Sequence, residues 1–146
     1  MATPYKDIYK RFYLKLEDKD LVQFDENEQE EMLTGWLDTA ISYIELEGLS
    51  MKNDLSDRDN DLQNFNQTLE NYEIEVVAKF MVVAWYEPKI NSLEHTLLMV
   101  GSKDEKWTSQ KDHLEMMTTT RDKEKREAIK LVRSYGYKNN SYLSGE

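Results

Sequence analysis

Asp54, Asp57, Asp59 and Asp61 crowd one stretch, NDLSDRDNDLQN, with the density of a calcium loop. Carboxylates at close spacing suit a hard cation, since Ca2+ takes six or more oxygen ligands. The template fails when laid on this chain. With Asp57 at position 1, the glycine needed at position 6 is Leu62 and the glutamate needed at position 12 is Thr68. No metal ligand and no cofactor is therefore expected. The two histidines, His95 and His113, lie in different predicted helices, and neither forms a Glu-x-x-His or Glu-x-x-x-His pair. Asp112 and His113 are adjacent and point two ways on a helix. The chain lacks GxGxxG, a P-loop with its lysine, HExxH, CxxC and GxSxG. Its 29 acidic residues make carboxylate pairs uninformative until an apolar cleft is shown to shift them. No catalytic residue is assigned, and an enzyme is not expected.

The elements that would carry any site read as helices. Phe65, Leu69, Tyr72, Val76, Phe80, Val83 and Ala84 recur at three- and four-residue steps, and Val77 and Met81 widen that face. The spacing predicts a central helix over 66–87, apolar nearly all round in its second half, capped by Asn66 and stopped by Pro88. A first helix is expected at 4–16, with Pro4 at its start and Tyr5, Ile8, Tyr9, Phe12 and Leu16 on one stripe. A second is expected at 25–46, opened by a capping box between Asp25 and Glu28 and closed by Gly48. Between them, 49–64 reads as a mobile, solvated loop that Leu55 and Leu62 pin to the core. A short helix follows at 89–100, and the longest at 109–135. At roughly 40 Å the last helix outruns a domain of this size. Its middle, Thr118 to Lys125, is nearly devoid of apolar residues. That middle is expected to project, to pack on another subunit, or to hide a turn near Thr118–Thr120. Residues 136–146 read as a flexible tail.

Together these make one all-α domain over 1–146, a bundle of about five helices around a central apolar one. The chain has 146 residues and no cysteine, so it needs and has no disulfide framework. No apolar run is long enough for a membrane span, and the N-terminus has no apolar signal core, so a soluble intracellular protein is expected. Net charge is −10 and unevenly placed: +3 over residues 1–16, −14 over 17–73 and +1 over 74–146. The acidic middle is the opposite of a phosphate-binding patch. It implies a surface that repels DNA or attracts a basic partner.

The order of these segments resembles a known family. An aromatic first helix, YKDIYKRFYLKL, is followed by EMLTGWLDTAISYIE, then by FNQTLENYEIEVVAKFMVVAWYEPKI, a SKDEKW link and a long charged helix ending in Tyr-Gly-Tyr. Over about residues 5–137 this is similar to the head–tail connector (adaptor, neck or head-completion) proteins of tailed bacteriophages. The resemblance implies a virion protein of the neck, assembled in the host cytoplasm, with no reaction of its own. About twelve copies would form a ring under the portal, extend the DNA channel without reading sequence, and dock the next neck or tail protein. Partner contacts are then expected at Trp107 in the link, at Arg121, Arg126, Arg133 and Tyr135 on the long helix, and at Tyr137, Tyr142 and Leu143 in the tail. The rival reading is a small acidic helical protein-binding or regulatory module, one that mimics DNA to a basic target.

Overall fold

A computed structural model describes residues 2–16, 26–100 and 105–139; of residues 26–28, 100, 105, 106 and 136–139 only the backbone is described. Four helices and a small three-stranded sheet make up the fold: β1 (Thr3–Pro4), α1 (Tyr5–Leu14), α2 (Glu26–Leu46), β2 (Arg58–Asp59), β3 (Asn64–Phe65), α3 (Asn71–Val100) and α4 (Glu105–Asn139). Among the described residues the expected five helices are therefore four, and a sheet joins them.

Pro4 sits before α1, not within it. Its backbone is extended, at φ −65° and ψ 144°, and it pairs across to Asn64. The aromatic stripe of α1 faces inward as expected, with Tyr5, Ile8, Tyr9 and Phe12 all buried. The Tyr5 ring meets Phe65 edge-on at 5.2 Å, and Phe12 packs beside Trp36 at 5.6 Å.

Helix α2 ends as the glycine predicts. Gly48 takes φ +66°, a conformation open to glycine at little cost. The N–H of Leu49 reaches the Ile44 carbonyl and that of Gly48 reaches Glu45, the paired bonds of a Schellman motif. The proposed capping box falls on Asp25 and on the Glu28 side chain, which lie outside the described residues.

The 49–64 connection, expected as a loop without structure of its own, contains strand pairs and turns. Asp54 accepts the N–H of Ser56 at 2.9 Å, and Asp59 accepts those of Asp61 and Leu62 at 2.9 and 3.1 Å. The aspartate spacing that suggested a cation thus serves Asx turns, in which a short carboxylate takes the place of a carbonyl. The sheet runs in the order β1-β3-β2, antiparallel throughout. Leu55 is buried and pins the segment; Leu62 is exposed and does not.

The central helix starts later and runs further than expected. Phe65 is buried, but as part of β3, so its place in the helical stripe was coincidental. The true cap is Glu70, whose N–H donates to the Glu73 carboxylate at 2.9 Å, one half of a capping box. From Val76 to Trp85 ten consecutive residues are buried, because neighbours cover this helix on every side. Burial of each large apolar side chain contributes about 1.5–3 kcal/mol. Helix α3 then continues past Pro88 to Val100, absorbing the separate 89–100 helix. A proline in a helix interior loses one hydrogen bond and crowds the preceding turn. Ile90, buried just beyond it, helps hold the continuation in place.

Helix α4 lies antiparallel to α3, since Tyr72 meets Tyr135, Lys79 meets Glu124 and Glu87 meets Arg121. It is unbroken at Thr118–Thr120. Its polar middle does not project. Arg121, Glu124, Lys125 and Glu127 all pair within the chain, with Glu87, Lys79, Glu47 and Lys79 respectively. What lacks core contacts is the far end. Among the described side chains of 91–99 and 107–116, none is buried.

Candidate functional site

Charged side chains converge where α1, α3 and α4 meet. Lys79, only 8% exposed, lies 2.9 Å from Glu127, 3.1 Å from Glu124 and 4.0 Å from Glu75. Glu75 also pairs with Lys15 and with Arg11. Burial alone would raise the Glu75 carboxyl, but Lys15, Lys79 and Arg11 outweigh it and hold the group below the ordinary carboxylate value. Burial alone would lower Lys79, but Glu127 and Glu124 outweigh it and hold the ammonium above the usual lysine value. Both shifts move away from neutrality. A general acid or base needs the reverse, a value drawn toward the working pH. This cluster is built to stay ionised and to clamp three helices.

A second cluster holds the connection. Glu73 is fully buried and accepts from the Asn53 N–H at 2.9 Å, the Asn53 side-chain amide at 2.5 Å and the Glu70 N–H. Arg58 pairs with Asp38 at 2.7 Å, and the Tyr5 hydroxyl donates to Asn60 at 2.7 Å, which tie the small sheet to α2 and α1. Among the described residues no group of three or more His, Asp or Glu is placed to hold a metal ion. No helix among them is long and apolar enough to cross a membrane.

What remains is surface. An open groove of about 620 Å3 runs between α2, α3 and α4, with Trp36, Trp85, Met32 and Met117 on its walls and His113 at its rim. The Lys89 ammonium lies 4.6 Å above the Trp85 ring. The buried Oε1 of Gln110, on the same wall, has no hydrogen-bond partner. The α3–α4 arm also exposes Leu98, Met99 and Met116, at 85, 76 and 53%. Along the outer face of α4 run Lys123, Arg126, Lys130 and Arg133, which line a shallow basic hollow of about 660 Å3. An acidic hollow of about 620 Å3 lies on α2, lined by Glu30, Glu31 and Asp38.

The residues proposed for partner contact divide accordingly. Arg126 and Arg133 are exposed on the basic face. Arg121 instead pairs within the chain, with Glu87 and Asp122, so its charge is already engaged. Tyr135 stacks on Tyr72 at 4.7 Å and docks the end of α4 onto the core. Trp107 is half-buried on α4 under Lys111. Tyr137 is described only as backbone of α4, and Tyr142 and Leu143 lie outside the described residues. Reading the sequence missed Lys123 and Lys130, although their spacing from Arg126 and Arg133 puts all four on one helix face. It also missed Leu98, Met99 and Met116, since an exposed apolar residue looks like a core one until the packing is known. No known protein family, curated protein or solved structure matches the chain.

Proposed function

We propose that the chain is a non-catalytic assembly protein: a ring-forming subunit of the head–tail connector of a tailed bacteriophage, seated between portal and tail. One observation supports an assembly role above the others. The arm formed by the ends of α3 and α4 extends past the core and exposes Leu98, Met99 and Met116. Apolar side chains exposed on an arm without its own core mark a surface for a partner. The resemblance in segment order supplies the kind of assembly, and the net charge of −10 suits a subunit beside a DNA channel that must not bind its cargo. A second reading, an acidic module for a basic protein target, draws on the acidic hollow of α2.

Light scattering of the full chain over a concentration series, alone and with a purified portal ring, separates the two. The connector reading expects a closed ring, or a monomer that joins the portal in many copies. Leu98→Asp with Met99→Asp should weaken that assembly while leaving the helical circular dichroism unchanged. A chain that stays monomeric and ignores the portal refutes the connector reading.

A further inference from the structure

Two outward faces of this molecule carry opposite charge, and both repeat at seven residues. On α4, Lys123, Arg126, Lys130 and Arg133 follow one another at steps of three, four and three residues, all exposed. They lie on the side of the helix away from buried Ala128 and Val132. Among the described residues none of the four forms an ion pair. On α2, Glu31, Gly35, Asp38, Ser42 and Glu45 follow at steps of four, three, four and three, away from buried Leu33, Leu37, Ala40 and Ile44. Asp38 spends part of its charge on Arg58 but keeps nearly half its side chain in solvent. Nothing lies within 4 Å of where a Cβ on Gly35 would stand, so a second helix can approach closely there.

We propose that the basic face of α4 seats the acidic face of α2 from a second copy of this chain. Seven-residue repeats rise about 10.5 Å on both helices. Two helices lying side by side therefore bring the charges into register more than once, as flanking charges do in paired coils. Each face points away from its own core, so one copy does not close both on itself. The contact joins different surfaces on the two copies. Such a head-to-tail contact generates a closed ring or an open filament. The inference rests on the ring reading and names the surfaces that make the ring. A DNA duplex is the other polyanion for the α4 face. The acidic complement within the same chain, with its shared seven-residue repeat, favours the second copy.

A charge-swap experiment tests it. One variant carries Lys130→Glu and Arg133→Glu; another carries Glu31→Lys and Glu45→Lys. All four sites are exposed, and unchanged circular dichroism and melting would confirm folding. Assembly is read by analytical ultracentrifugation, free and on the portal ring, with binding to a short DNA duplex read by anisotropy. Each variant alone should self-associate on the order of 100-fold more weakly than the parent, because like charges then face each other. An equimolar mixture of the two should recover assembly, since each supplies the face the other needs. Assembly of the parent that neither variant weakens, or weakening that the mixture does not recover, overturns this inference and leaves the ring reading standing. Loss of DNA binding in the Lys130→Glu, Arg133→Glu variant with assembly unchanged also overturns it and makes the α4 face a nucleic-acid surface. A parent that never assembles, free or on the portal, overturns both.

Discussion

Replacing Lys79 with methionine should destabilise the fold by about 2–3 kcal/mol. The expectation starts from the cost of leaving buried carboxylates without their cation, about 3–5 kcal/mol when the pair is fully enclosed. Two features reduce it here. Glu127 keeps 43% of its side chain in solvent, and Glu75 retains Lys15 and Arg11. Glu124, at 16%, bears most of the loss. With a urea slope of about 2 kcal/mol per molar for a domain of this size, the midpoint should fall by roughly 1–1.5 M. The second variant decides the cause. Adding Glu124→Leu to Lys79→Met removes both sides of the buried contact and should restore at least about 1 kcal/mol of the loss. Urea melts followed by circular dichroism at neutral pH measure all three proteins. A single-variant loss under about 0.5 kcal/mol, or a double variant no better than the single, would refute the reading of this cluster as a clamp.

Three other outcomes follow from the same structure. Stability should fall at both ends of the pH scale. Glu75 is depressed below its ordinary value of 4.5 in the fold, so its contribution is present above that pH and is lost below it. Lys79 is raised above 10.5, so its contribution holds up to that pH and is lost above it; melts from acid to alkali in the parent and in Lys79→Met should show the alkaline limb flattened in the variant. Glu73→Ala should cost about 1–2 kcal/mol, because it leaves the partly buried N–H groups of Asn53 and Glu70 without their acceptor, and hydrogen exchange should rise first around residues 52–57. Pro88→Ala should stabilise by about 1 kcal/mol or more by restoring a helix donor at an exposed site; a lower melting temperature would show that the proline sets a bend the packing needs.

Much of the helical fold was legible because the core is written at helical period. The stripe of α1, the apolar run of α3 and the glycine stop of α2 each depend on residues within a few positions of one another. The errors cluster where distant residues decide. Pro88 is a reliable local stop signal, yet packing over the following turn carries α3 through it. Phe65 fits the helical stripe by number, but its partners are Thr3 and Arg58 across a sheet. The polar middle of α4 looked solvent-facing because nothing local shows that Lys79, Glu87 and Glu47 stand opposite it.

The chain by itself determined that this is a mainly helical protein with one apolar centre, an acidic middle and no recognisable catalytic motif. Periodicity, capping residues and charge counts are local quantities, and they survive without knowledge of neighbours. Tertiary structure alone decided which charges are spent inside the molecule and which face out. Arg121 and Arg126 are five residues apart on one helix, with the same chemistry. One is tied to Glu87, while the other is exposed on the outer face. The difference is the direction each side chain takes relative to a neighbouring helix, and that direction exists only once α3 and α4 have packed.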